Sequence, residues 1–125
     1  MPTAGQINAT IDAYEEAYRS NDKAAFLALW DEGGELEDPV GTPVHVGMKA
    51  LGAFWDSTRQ LVDRIELVPD EVVVCADQAA MVFTILARTG DGGLRMRAID
   101  VFRIDDDGKI ASVRAYWDIA DATPV

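Results

Sequence analysis

One cysteine and one histidine are all this chain offers of the side chains that most often hold transition metals. A lone Cys75 excludes an intrachain disulfide and any multi-cysteine metal site. It sits in the apolar run from Val72 to Ala76 and reads as a buried small residue. His45 lies in a Gly/Pro-rich stretch and reads as a solvent-facing loop residue, which leaves a Ser-His-Asp arrangement with one weak candidate. Basic residues are scarce, 11 against 22 acidic ones, for a net charge of −11. That balance argues against nucleic acid and anionic membranes as partners and disfavours anionic substrates. No apolar run approaches a membrane span, and the opening MPTAGQINAT lacks the basic and apolar regions of a signal peptide. The expectation is a cytoplasmic protein. Asp105-Asp106-Asp107-Gly108 lacks the alternating acids and closing glutamate of a calcium loop, and Gly90 to Gly93 lacks the strand–helix context of a phosphate loop. Neither a metal nor a cofactor is expected. With no repeat, linker or low-complexity tract, the 125 residues are expected to form one domain, 1–125.

What is present is a change of texture halfway along. Ile7, Ile11, Tyr14 and Tyr18 recur at helical spacing from about Gln6 to Arg19. Asp22 can cap a second helix through Lys23 to Trp30, stopped by Gly33-Gly34. Glu35 to Asp38 reads as a short strand closed by Pro39, and Lys49 to Val62 as a third helix carrying Leu51, Phe54, Trp55, Thr58 and Leu61. Strands follow: Ile65 to Val68, Glu71 to Ala76, Ala80 to Thr89, Leu94 to Ile104 and Ile110 to Asp118. Helices first and strands later indicate an α+β fold, expected here as one curved, mostly antiparallel sheet wrapped around the N-terminal helices.

One residue breaks the strand pattern. Leu94, Met96, Ala98, Asp100, Phe102 and Ile104 share a face, while Arg95, Arg97, Ile99, Val101 and Arg103 share the other. Asp100 is therefore the one charged group on an apolar face, and the arginines nearest in sequence point away from it. A carboxyl there needs a partner or stays protonated. Met81, Phe83, Ile85 and Ala87 form a second apolar row, and Val113, Ala115 and Trp117 a third. These rows line either a deep cavity or a filled core, which periodicity does not distinguish. Tyr14 lies on the inward stripe of its helix, and Asp38 shares a strand face with Leu36. Each has an ordinary structural reading: a core aromatic, a turn former before proline, a buried ion pair. Together, a neutral acid and a phenol supply two donors in an apolar site, and an ionised carboxylate supplies a base. Those parts can remove a proton beside a carbonyl and hold the resulting enolate.

The residues carrying these groups resemble delta-5-3-ketosteroid isomerase, in the nuclear transport factor 2-like, polyketide cyclase-like superfamily of cone-shaped, cystatin-like α+β domains. The resemblance runs from about Ile11 to Asp118 through Tyr14, LEDPVG with Asp38, the glycine of VHVG, GAFW, IDVFR with Asp100, DDGKI and AYW. It implies a cofactor-independent isomerase of steroid metabolism. Asp38 would move a proton from carbon 4 to carbon 6 of a 3-oxo-delta-5 steroid, shifting the double bond from delta-5 to delta-4 through a dienolate. Tyr14 and protonated Asp100 would form the oxyanion hole. Substrate would be bound by Trp30, Phe54, Trp55, Met81, Phe83, Ile85, Phe102, Val113, Ala115 and Trp117. Trp30 and Trp55 stand where family members carry further tyrosines, and an indole donates but does not accept. A homodimer through the outer sheet face, at Arg97, Val101 and Arg103, is also implied. The alternatives are a non-catalytic steroid or lipid carrier and another superfamily enzyme, a polyketide cyclase or dehydratase that recruits His45.

Overall fold

Thr3 fixes where the first helix, α1 (Ala4–Arg19), begins in the computed structural model, which describes residues 1–125. Its hydroxyl accepts from the Gln6 N–H at 3.1 Å while the Gln6 side chain accepts from the Thr3 N–H at 2.8 Å. This reciprocal cap starts the helix ahead of its first buried residue, where apolar spacing alone would not place it. Ile7, Ile11, Tyr14, Ala17 and Tyr18 form its buried stripe. Asp22 caps α2 (Lys23–Ala28) by accepting from the Ala25 N–H at 3.0 Å. This helix ends at Ala28, and Trp30 already belongs to β1 (Trp30–Glu37), so Gly33 and Gly34 lie inside a strand rather than stopping a helix. The reason is steric. A Cβ on Gly34 would meet the Trp30 ring at 2.7 Å, where β1 shifts register.

The remaining elements are β2 (His45–Val46), α3 (Gly47–Leu61), β3 (Arg64–Cys75), β4 (Gln78–Thr89), β5 (Gly92–Ile104), β6 (Ile110–Tyr116), a 3₁₀ turn (Ile119–Asp121) and β7 (Thr123–Pro124). The two strands expected around Pro69 are one strand, because a bulge between Pro69 and Glu71 absorbs the residue that cannot donate to the ladder. Cys75, at the end of this edge strand, is exposed rather than buried: its apolar run alternates between half-buried and exposed positions.

The sheet order is β2-β1-β6-β5-β4-β3, with β7 pairing the free part of β5. This corrects the expected cone-shaped, curved wrap, although every strand pairing except β1–β6 is antiparallel. The sheet is open and mixed: β1 and β6 run parallel, and the end strands β2 and β3 do not pair with each other. Alternation of side chains reports which face a residue occupies, not strand direction or closure, so the sequence pattern could not have set either. The class remains α+β. Helix α1 packs against β3 and α3 against β1, leaving their apolar stripes over one face of the sheet. The Thr10 hydroxyl donates to the Gly108 carbonyl at 2.7 Å, tying α1 to the β5–β6 turn. No helix is long and apolar enough to cross a membrane.

Candidate active site

Between the helices and the inner sheet face lies a cavity of about 600 Å³. Tyr14 and Tyr18 reach it from α1, Asp38, Pro39 and Thr42 from the loop after β1, and His45 from β2. Helix α3 contributes Phe54, Ser57, Thr58 and Leu61, and the sheet contributes Phe83, Ile85, Met96, Asp100 and Ala115 among others. Of its 24 lining residues 15 are hydrophobic, so the few polar groups present are concentrated rather than diluted.

Asp100 lies deepest in polarity terms: it is 3% exposed, and its Oδ1 has no hydrogen-bond partner. Register explains this isolation. Its cross-strand neighbours are Met81 on β4 and Ala115 on β6, neither able to bond a carboxyl. Burial pushes the Asp100 carboxyl well above the ordinary carboxylate range, and the nearby Asp38 pushes it the same way. The protonated, neutral form of the group is therefore favoured. A protonated carboxyl has a hydrogen to donate, and here it has nothing in the protein to give it to.

Asp38 is half-buried and differently served. The Trp117 Nε1–H donates to its Oδ1 at 2.5 Å. Burial raises its pKa, while that bond and then the Coulombic influence of His45 oppose the rise. The preceding side chain faces outward: Glu37 accepts from the Gly41 N–H at 2.9 Å and from Arg114 Nε at 3.1 Å. The Val40 N–H donates to the Ala115 carbonyl at 2.8 Å. Loop and strand β6 are thus clamped together, and the clamp holds Asp38 at the cavity wall.

Tyr14 is fully buried on α1 and packs edge-on against Phe102, ring centroids 5.2 Å apart. Phe102 is two positions from Asp100 on the same strand face, so this contact sets the phenol beside the acid. Burial foremost, then Tyr18, Asp100 and Asp38, hold the Tyr14 phenol well above its ordinary pKa, so it keeps its proton. The site therefore combines two groups held toward their protonated forms with one carboxyl at which an N–H donor opposes the effect of burial.

Of the expected lining residues, Phe54, Phe83, Ile85, Ala115 and Trp117 border the cavity. Trp30, Trp55, Met81, Phe102 and Val113 are buried in the core behind its wall. Rows at one spacing supply both layers, and only packing depth separates them. The cavity is also lined by Met96, from the Asp100 row, by Tyr18 and Thr58, from the helical stripes, and by Ser57, which no sequence pattern singles out. Tyr18 was legible, four residues beyond Tyr14 on one helical stripe. His45, expected to face solvent, is instead half-buried, with its ring 5.1 Å from Phe54, and borders the cavity. The two-residue strand β2 that turns it inward has no pattern long enough to detect. No group of three or more His, Cys, Asp or Glu side chains is arranged to hold a metal ion.

The SnoaL-like domain family matches residues 11–113. A steroid delta-isomerase of Nocardioides simplex is 32% identical over 114 residues, 91% of each chain. Among solved structures, the epoxide hydrolase/cyclase-like enzyme SalBIII of pyran ring formation in salinomycin shares 21% identity and a TM-score of 0.87, covering 98% of each chain. A computationally designed binder of 17-OHP shares 20% identity and a TM-score of 0.84, covering 96% of each. At these identities the two structures speak for the fold alone. The chain belongs to the SnoaL-like domain family, in the nuclear transport factor 2-like, polyketide cyclase-like superfamily, and is related to steroid delta-isomerase.

Proposed function

We propose that this protein is a cofactor-independent isomerase of 3-oxo steroids, moving a double bond from delta-5 to delta-4. The observation that carries the reading is Asp100: a buried, unpartnered carboxyl, held toward its protonated form, in an apolar cavity that Tyr14 and Asp38 also line. Leaving a buried polar group unsatisfied costs about 1–3 kcal/mol, a cost that a purely apolar binding pocket has no use for. A carbonyl oxygen acquiring negative charge is the partner that offsets it.

In this scheme the substrate carbonyl at carbon 3 accepts from Tyr14 and Asp100. The Asp38 carboxylate removes a proton from carbon 4, electrons shift into the dienolate, and the same carboxyl returns the proton to carbon 6. The developing oxyanion meets two donors that are already in place, each typically worth about 3–4 kcal/mol in the transition state. Exposed Leu61, Leu94 and Ile119 rim the cavity, which suits a rigid apolar body extending outward. Leu94 belongs to β5, whose outer face is also our proposed homodimer contact, with Arg97 and Arg103 exposed there.

A second reading, a cyclase or dehydratase, draws support from His45, which borders the cavity and influences Asp38. One assay separates the readings: purified protein is mixed with 5-androstene-3,17-dione and the ultraviolet absorbance of the conjugated enone is followed. Turnover is expected. Saturable binding without conversion would replace the isomerase with a carrier, and neither would favour the second enzyme class.

A further inference from the structure

The cavity is longer than the ring system its chemistry handles. Asp100 marks the inner end, and Leu94, six residues away on the same face of β5, marks the outer end. Strands β4 and β5 pair without a bulge from Gln78 and Arg103 to Thr89 and Gly92, so β5 is extended throughout that stretch. At about 3.3 Å per residue, the two ends lie roughly 20 Å apart. Phe83, Ile85, Ala87 and Thr89 line the same length from β4. The fused rings of a steroid, from the carbon-3 oxygen to carbon 17, span about nine bonds of ~1.5 Å in a zigzag, or roughly 10 Å. With its carbonyl seated against Tyr14 and Asp100, the ring system leaves the outer half of the cavity uncovered.

That outer half is aliphatic and uncharged. Leu61, Leu94 and Ile119 stand at its rim, 79%, 37% and 59% exposed. Gathered at one mouth, they form an apolar patch of the kind that takes a ligand, unlike apolar residues scattered singly over a surface. Ser57 and Thr58 bring hydroxyls to the wall, but these donate to the Phe54 and Trp55 carbonyls of their own helix, each at 2.7 Å. Thr89 lies exposed to water. No lysine or arginine lines the cavity, and a net charge of −11 disfavours an anionic occupant. The rim is also held in place. Leu94 pairs with Pro124 on β7, and the Val125 N–H donates to the Gly93 carbonyl at 3.0 Å. Asp118 caps the 3₁₀ turn carrying Ile119 by accepting from the Ala120 N–H at 2.9 Å.

We propose that the outer half of the cavity is a subsite for an uncharged alkyl chain on carbon 17, so that the preferred substrates are 3-oxo-delta-5 sterols that keep a branched aliphatic side chain. The inference rests on the isomerase reading and names its substrate class. A side chain of about eight carbons, its ~1.5 Å bonds in a zigzag, adds roughly 10 Å, the length left over beyond the rings. Each methylene that leaves water is worth about 4-fold in affinity. A polar or charged substituent at carbon 17 would gain no partner from this wall.

The test compares kcat/KM for cholest-5-en-3-one with that for 5-androstene-3,17-dione, both presented in the same cyclodextrin carrier. The wild-type chain should convert the sterol with the lower KM. Leu61→Ser and Ile119→Ser each alter one exposed rim residue, and each should lower the sterol-to-androstene ratio by about 4–16-fold, the worth of one or two methylenes. Because both substrates are measured on one sample, any loss of folded protein cancels from the ratio. A wild-type chain that converts the androstene and not the sterol, or a ratio that both variants leave unchanged, would overturn the subsite. A chain that converts neither would overturn the isomerase reading beneath it. In that case the subsite is read from binding of cholest-4-en-3-one and androst-4-ene-3,17-dione, followed by tryptophan fluorescence. A preference for the sterol that the two variants erode would uphold the subsite, and equal binding of the two would remove it.

Discussion

Asp38 and Asp100 line one cavity and share one chemistry, but their surroundings favour the proton strongly at Asp100 and less at Asp38. Asp38 stands at the end of β1 with an indole N–H on one oxygen and a histidine nearby. Asp100 stands mid-strand on β5 between a methionine and an alanine, with nothing on Oδ1. Burial raises both, yet only at Asp38 does a donor counter it. The carboxylate nearer to ionisation suits a base, and the one kept neutral suits a donor. Role follows environment rather than residue type, and each environment can be altered separately.

Replacing the base should have the largest effect. Asp38→Asn keeps the shape and removes the proton acceptor, so isomerisation should fall by about 10²–10⁴-fold while a phenolic steroid still binds. Retained turnover in stopped-flow or steady-state assays would remove Asp38 from the mechanism. Next comes the donor. Asp100→Leu should lower kcat by about 10²–10³-fold, whereas Asp100→Asn, which still carries N–H donors, should lose much less. If the asparagine and leucine variants are equally slow, donation by a neutral group is not what Asp100 contributes.

Stability should move the other way. Because the folded state raises the Asp100 pKa, the folded state holds its proton where the unfolded chain releases it. Stability contributed by this group is therefore greatest at low pH and declines as pH climbs above about 4, the unfolded value. Asp100→Leu should melt at the same temperature as wild type or higher at pH 7, by roughly 1–3 kcal/mol at most, and the advantage should shrink toward pH 4. A marked loss of stability at pH 7 would indicate a structural partner for the carboxyl.

How legible this contrast was in the sequence differs between the two residues. The Asp100 environment followed from a period of two, because a long central strand with clean alternation leaves a charged residue no other face. Its lack of a partner also followed, since the arginines beside it in sequence must point outward. The Asp38 environment did not follow. Trp117 is 79 positions away and meets Asp38 only because β1 and β6 run parallel, a direction no local pattern encodes. His45 was hidden for a related reason, its strand being two residues long and held in place by pairing with Glu35 and Leu36. Cavity and core, too, differ by packing depth: Phe83 borders the space and Met81 lies behind it, though they occupy one row.

The smallest expected effects test whether the Asp38 environment is built from the parts named. Trp117→Phe removes the N–H that opposes burial, so the Asp38 pKa should rise further and the acid limb of the kcat/KM profile should move to higher pH. The direction is fixed by the sign of the bond: a donor to the carboxylate favours the charged form, and its loss favours the proton. Turnover on the plateau should change by less than about 10-fold, since the base itself remains. His45→Gln should displace the same limb in the same direction by a smaller amount, because the histidine opposes burial less than the indole does. A larger displacement from His45→Gln than from Trp117→Phe would reverse that ranking. It would make the histidine the principal support of the Asp38 carboxylate, a position from which it could act as an acid–base group in its own right.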